Sequence, residues 1–547
     1  MPLQRWLRHP APILPPSLSL NPAISRIRKA PDDQPRRPLR AQQRARPSAN
    51  AARRRARARW PLMGLGRRSA WLGLSQMVEV GLQVVLPMIL VRHLDIASFG
   101  DYRLAWLIAG GAATILPMGM PNTLALFLPR ADGHGRRAHV ALTIYYMLVV
   151  GLLAGLVVVV GSLTLGTSAS FRHLAWVVGG FTALWVAGGL IDYLPVADER
   201  GDWQARAVIG LAALRTVLAA GAALYYGQIE YVFYALTIVA AVRLALLLRY
   251  ARTQHLLGGT VPERTHWRLQ LAQAWPIGVS SLLVTVRRQA DQWIAAFLFG
   301  TAQFAVFSLG AVFGPLVLMM RRAVSSTFLP SMSKMEAAGR WDAVIDTNNR
   351  ANLIVAFFAM PVLAFVWCFG EPIYELIYTQ QYVGAVPVMR MLTLSWLLQI
   401  VELNSMIMLA GQMGYSARIS GPLLVVSLVV SFVGAYAFGL VGAAAGGVLM
   451  AFVERSLIVR QLARTLALPV RQLQAWGTLL AMLALSWGLA GLGRLAYEFS
   501  PAATQPLLGM AAVGAVLALP YFLITRKLGW LPHKLVAMPA VGVKAEP

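Results

Sequence analysis

Residues 275–299 read WPIGVSSLLVTVRRQADQWIAAFLF. The segment is long and apolar enough to cross a bilayer as a helix. Yet Arg287, Arg288 and Asp291 lie in its middle. One charge facing lipid at that depth costs roughly 2.5–3.5 kcal/mol on insertion scales. Three on one helix are prohibitive unless they face protein or water. The chain is therefore read as a membrane protein with a polar, mostly positive interior. Within the segment, Arg287 and Asp291 stand four residues apart and can pair. Ser281, Thr285, Arg288 and Gln292 share a helix face. That stripe is expected to line a cavity; the plainer reading is an Arg–Asp pair locking two helices. With Asp291 given to Arg287, Arg288 is the better ligand candidate.

Composition sets the class. Hydrophobic residues make up 57% of the 547 and charged residues 13%, a balance few soluble proteins tolerate. Cys368 is the only cysteine, so no internal disulfide is possible and the redox compartment stays open. Of the net charge of +27, residues 1–62 carry +13 from fourteen Arg, one Lys and two Asp. This stretch has no apolar period and reads as a disordered basic extension. It could bind anionic lipid or nucleic acid, act as a transit peptide, or precede a true start at Met63.

Working outward, hydropathy gives about fourteen spans: 70–91, 104–128, 139–163, 173–192, 205–226, 230–250, 272–299, 303–328, 351–369, 387–410, 419–438, 441–462, 474–494 and 504–525. With the N-terminus in the cytoplasm, the inside loops hold Arg130, Arg136, Arg137, Arg200, Arg252, Arg264, Arg268, Lys334, Arg340, Arg418, Arg464, Arg471, Arg526, Lys527 and Lys534. The outside loops hold only Arg92, Arg172 and Arg494, with Arg103 nearby. A wrong count would scramble this bias, so both termini are expected in the cytoplasm. Loop 370–386 reads as an interfacial hairpin with Tyr374, Tyr378 and Tyr382 at headgroup level.

A repeat is visible. Phe99-Gly100 and "LFLPR" (126–130) bound the second span; Phe299-Gly300 and "TFLPS" (327–331) bound the eighth. Pro117 and Pro315 fall at similar depth. An offset near 200 residues, or six helices, makes the halves parallel about an axis along the membrane normal. The expected fold is an all-α polytopic membrane protein: two six-helix bundles, 63–268 and 269–465, two added helices in 466–530, and a cytoplasmic tail, 531–547.

The chemistry motifs are missing. There is no phosphate loop, no Ser elbow and no histidine pair at metal-ligand spacing, so no metal or cofactor is expected. The pattern argues for transport rather than catalysis. Other in-span charges are Glu79, Arg103, Arg215, Arg243, Arg390, Glu402, Glu454 and Arg455. Arg243 and the Arg321–Arg322 pair read as snorkelling to headgroups. Glu454–Arg455 reads as a helix-packing pair or a boundary group. Arg215 sits at mid-depth and is a cavity candidate. Arg103 and Arg390 could form an outer vestibule or face headgroups. Glu79 and Glu402 could carry a coupling proton or sodium ion, or neutralise arginines. Guanidinium pairs suit an anionic head, because they make paired hydrogen bonds to phosphate oxygens. Pro87, Pro117, Pro276, Pro315 and Pro361 could kink or hinge their helices.

The stretches LVRHLDIASFGDYRLAWLIAGGAATILPMGMPNTLALFLPR (90–130) and ADQWIAAFLFGTAQFAVFSLGAVFGP (290–315) resemble the polysaccharide (O-antigen type) lipid flippases of the multidrug/oligosaccharidyl-lipid/polysaccharide exporter superfamily. Asp291, Gly300 and Phe304-Ala305 match the family pattern at the end of the seventh helix. Arg287-Arg288 is not a family constant. The resemblance implies two V-arranged bundles around a central cavity. It implies a polyprenyl-diphosphate-linked oligosaccharide moving from the inner to the outer leaflet of the cytoplasmic membrane. Substrate contacts are then expected from Arg287, Arg288, Asp291, Gln292, Arg215 and Arg103. The expected partners are membrane lipids and polysaccharide polymerase machinery, with no nucleic acid. The alternatives are an ion-coupled small-molecule antiporter of the same fold, a lipid II flippase and, more distantly, a polymerase or ligase.

Overall fold

A computed structural model describes residues 73, 75–164, 169–257, 264–500 and 505–530. The basic extension, the Met63 start and the 531–547 tail lie outside the described residues. Among the described residues all regular structure is helical. The first bundle comprises α1 (Ser75–His93), α2 (Ile96–Ile115, continued by Met120–Phe127), α3 (Gly133–Thr164), α4 (Ala175–Ala197), α5 (Gly201–Tyr226) and α6 (Ile229–Thr253). The second begins with α7 (Arg264–Leu298), α8 (Thr301–Ala337), α9 (Trp341–Cys368) and the short α10 (Ala385–Ile400). The next helical stretch, Met413–Leu466, contains two non-helical residues, Phe438 and Gly439. The chain reverses there, so the stretch is two spans, α11 and α12. The last two spans are α13 (Trp476–Glu498) and α14 (Pro506–Lys527). Eleven of these helices pass as spans outright, and the bent α2 pair makes a twelfth. Dividing Met413–Leu466 and adding α10 gives the fourteen expected.

Lipid offers helices no hydrophobic drive to associate, so close backbone approach must supply it. A Cβ at Gly151 of α3 would fall 2.5 Å from the Ala183 carbonyl oxygen of α4, and one at Gly155 would fall 2.6 Å from that of Gly179. The α11–α12 reversal is tighter still. A Cβ at Gly442 would lie 1.8 Å from the Gly434 carbonyl oxygen, and one at Gly446 would lie 2.1 Å from Ser431 Oγ.

The repeat has a structural counterpart. α2 breaks at Leu116–Gly119 and bends by 42°, with Met118 at φ 45° and Gly119 at φ 75°. α8 breaks between Gly310 and Gly314. Pro117 lies in the first break, and Pro315 just after the second. Gly100 packs on Thr301, where a Cβ would fall 2.0 Å from the carbonyl oxygen. Repeat-related segments touch only beside their axis, so the two Phe-Gly marks meet there. At the start of α2, Asp95 caps the helix by accepting from the Ala97 and Ser98 amides. Partial burial alone would raise its carboxyl pKa, but the hydrogen bonds from Ser98 and Ala97 prevail and hold it below the usual value.

Two expectations are corrected. Tyr374, Tyr378 and Tyr382 do not face headgroups but are fully buried in the apolar core shared by both bundles. Tyr374 donates to the Leu309 carbonyl. The tenth span also does not run on to 410. It stops at Ile400, and a separate helix spans Asn404–Leu409. Glu402 makes the break. Its amide donates to Asn352 and its carbonyl accepts from Asn348. Its carboxylate accepts from the Asn404 and Ser405 amides.

Candidate functional site

A cavity of about 780 Å³ lies between the two bundles. Seven arginines and four carboxylates line it: Arg103, Arg215, Arg243, Arg287, Arg288, Arg321 and Arg455 against Glu79, Asp192, Asp291 and Glu454. The excess is positive, as the seventh span implied. Ser281, Arg288 and Gln292 of the expected stripe reach the cavity, while Thr285 does not.

Arg287 does not pair with Asp291. It grips Glu454 of α12 with both terminal nitrogens, at 2.8 and 2.7 Å. The local i,i+4 option loses to a bidentate pair from another helix, which satisfies two donors and both carboxylate oxygens at once. Glu454 is therefore a cavity group and not a packing partner of Arg455. Asp291 is left with its own neighbour, the Gln292 amide, at 2.9 Å. Gly447 of α12 faces it, and a Cβ there would lie 3.4 Å from Asp291 Oδ2. Among the described residues, no carboxylate lies within ion-pair distance of Arg288. Arg455 donates to the Val401 carbonyl at 3.0 Å and also has no carboxylate partner among the described residues.

Arg321 and Arg243 do not snorkel. Both are buried, at 7% and 6% exposure, and both reach the cavity. Arg321 meets Glu402 at 3.2 Å. Arg243 pairs with Asp192 and lies over the Trp185 ring at 4.1 Å. A carboxylate and an indole thus hold these arginines inward, against the pull of headgroups. Glu402, offered by the sequence for a coupling ion, does not line the cavity and is engaged with Arg321 and the helix start at Asn404. Glu79 does line it, accepting from Gln83 at 3.3 Å. Arg103 lies on the wall, donating from Nε to the Ser308 hydroxyl and from Nη2 to the Ser308 carbonyl. Arg390 is held by Glu371 and the Trp367 carbonyl.

Two of the contacts between the bundles lie near the start of α2 and at its break, and Gly111 meets Trp293 between them. The first is Gly100 against Thr301. At the other, the α2 break meets α7: a Cβ at Gly119 would fall 2.7 Å from the Ala274 carbonyl oxygen, and one at Gly278 would fall 2.5 Å from Met118. Beside this second contact, Gln270 of α7 is fully buried. It donates to Thr123 of α2 at 3.0 Å and to Thr143 of α3 at 2.8 Å, and its carbonyl end meets His139 at 3.0 Å.

The family model described as polysaccharide biosynthesis protein matches residues 65–336. The chain belongs to this family. No curated protein matches the chain significantly. Among solved structures, "Lipid II flippase MurJ, inward closed conformation" aligns with TM-score 0.62 and 11% identity over 84% of this chain and 99% of that one. A mutant of the Vibrio cholerae MATE transporter VcmN aligns with TM-score 0.52 and 15% identity over 74% and 96% of the respective chains. An inward-facing multidrug resistance MATE family transporter of the MOP superfamily aligns with TM-score 0.50 and 16% identity over 72% and 96%. Identities of 11–16% speak for the fold alone. In this member of the polysaccharide biosynthesis family, sequence reading missed three cavity groups. Asp192 stands at the end of the 173–192 span, and Trp106 and Trp185 lie inside apolar runs. The signal for all three was the number of in-span arginines needing partners.

Proposed function

We propose that the chain is a flippase that carries a polyprenyl-diphosphate-linked oligosaccharide from the cytoplasmic to the outer leaflet, with no chemistry of its own. The observation that supports this most directly is Arg288. It is a guanidinium on the cavity wall between two bundles, with no carboxylate partner among the described residues. A diphosphate supplies what it lacks, and Arg455 stands on the same wall. Arg287, already held by Glu454, aims its neighbour rather than taking the headgroup. Gln292 and Arg103 remain as polar contacts along the path. The bias of basic residues toward alternate loops supports a reading with both termini in the cytoplasm and the chain in the cytoplasmic membrane. Moving net negative charge outward across a membrane with an inside-negative potential is then downhill by about 2.3 kcal/mol per charge per 100 mV. Polymerase machinery on the outer face is the partner that would consume the product.

The test is Arg288→Ala at matched protein level. Surface polysaccharide is expected to fall at least about tenfold, the scale of one lost charge-assisted contact. Undiminished export would remove Arg288 from the mechanism.

One observation favours a second reading, an ion-coupled antiporter of the same fold. Asp291 faces the cavity with no cation partner among the described residues. With Glu79, it could hold a proton or sodium ion. On this reading Asp291→Asn abolishes gradient-driven uptake of a cationic dye into vesicles. On the flippase reading no such uptake exists to lose.

A further inference from the structure

The two walls of the cavity differ in kind. Around Arg288 the charged neighbours are Arg287, Arg321, Arg322 and Glu454, all from the second bundle. Around Glu79 they are Arg215, Arg243 and Asp192, all from the first. The second-bundle wall has cations to spare. On the first-bundle wall three arginines face two carboxylates, Arg103 being engaged by Ser308, and Tyr102, Trp106 and Trp185 line it beside them. Trp106 and Trp185 pack edge to face at 4.8 Å, and Tyr102 meets Trp106 at 6.5 Å. Such a wall is a poor place for a doubly charged phosphate. Its flat apolar faces suit the C–H faces of sugar rings.

One side chain on it is left without hydrogen-bond partners. Arg215 is 7% exposed and lies 5.3 Å from the centre of the Trp106 ring. Its Nε and Nη2 are buried and have no hydrogen-bond partner. These two nitrogens form one side of the guanidinium fork, the side that takes a carboxylate through two parallel bonds. Trp106 Nε1, a third donor, is also buried without a partner. Among the described residues no carboxylate lies within ion-pair distance of Arg215, Glu79 included. Leaving buried donors unpaired costs stability unless something else fills them. A ligand group with two coplanar oxygens would fill all three.

We propose that the first-bundle wall is the glycan subsite, and that Arg215 and Trp106 Nε1 read a carboxylate carried on a sugar ring. The inference rests on the flippase reading and adds a substrate class to it: lipid-linked oligosaccharides containing a uronic-acid type sugar. Headgroup and glycan then take opposite walls. The diphosphate goes to Arg288 and Arg455, and the acidic sugar to Arg215.

The experiment uses the full chain in lipid nanodiscs and three probes. They are undecaprenyl diphosphate alone, and the same lipid carrying a disaccharide ended by glucose or by glucuronic acid. Wild type is expected to hold the glucuronate probe about tenfold more tightly than the glucose probe, as one bidentate charge-assisted contact warrants. Arg215→Gln should collapse that preference to about one. Trp106→Phe keeps the ring, loses the N–H and should cut the preference by about threefold. Arg288→Ala should weaken all three probes and keep the preference. Each variant is first checked for an unchanged elution profile and melting temperature. Equal binding of both glycan probes by wild type would overturn the proposal. So would an Arg215→Gln variant that weakens the bare lipid diphosphate as strongly as the glucuronate probe. Failure of wild type to bind any probe would sink the flippase reading itself, and the subsite with it.

Discussion

Two of the levels at which the bundles meet, the Phe-Gly marks and the α2 break, are built differently. At the Phe-Gly marks, backbone rests on backbone, since Gly100 leaves no room for a Cβ against Thr301. At the α2 break, the contact is partly polar. Gln270 reaches from α7 to Thr123, Thr143 and His139. A steric contact of the first kind is all or none. Hydrogen bonds are individually worth about 1 kcal/mol net and can be exchanged for water. The polar level is therefore the one suited to open and re-form during a transport cycle, while the glycine level holds position.

The largest break in that contrast should come from Gly100→Ala. The new methyl must displace backbone, with an expected cost of about 3 kcal/mol and a clear drop in melting temperature. Ser281 lines the cavity, and Cys368 is the only native cysteine. A Ser281→Cys probe in a Cys368→Ser background therefore reports access to the cavity. In Gly100→Ala the probe should react faster with an impermeant thiol reagent added from the side of Gly100. Gln270→Leu should cost less, about 2 kcal/mol, because Thr123 and Thr143 keep their bonds to the Met120 and His139 carbonyls. Here the probe should become more reactive from the opposite side, the side bearing Arg136 and Arg137. If both variants open the same side, the two levels are not separate closures.

The smallest effect sharpens the comparison at the glycine level. Asp95→Ala removes the cap of the helix that carries Gly100 and should cost about 1 kcal/mol. Because its carboxyl pKa is held below the unfolded value of about 3.9, this contribution is present above that pH. It fades as pH falls through the lower folded-state value. Melting curves of wild type and variant should therefore converge in acid.

The spans were legible because lipid permits only runs of apolar helix, and the basic loops kept the count honest. The repeat was legible in the Phe-Gly and Pro marks, which now sit at a meeting point and beside two helix breaks. What escaped was set at long range. Nothing near Glu402 in sequence signals that Asn348 and Asn352 would stop a helix there. Periodicity offered Asp291 to Arg287, and a residue of a distant helix took the arginine. Depth along a span placed Arg243 and Arg321 near headgroups, whereas Asp192, Trp185 and Glu402 drew them inward. The tyrosines of 374–382 carry the composition of a membrane interface and lie in the core, because Phe99 of the first bundle and Leu309 and Phe313 of the second close over them.

The Arg287–Glu454 grip has one more effect. The two residues are 167 positions apart in the chain, yet α12 holds α7 by that clasp and lies against it through the bare backbone of Gly447. α7 therefore cannot roll about its long axis without dragging α12 along. The compass bearing of Arg288 is fixed by its immobilised neighbour, so a change at Glu454 would turn the reaching arginine away without touching it.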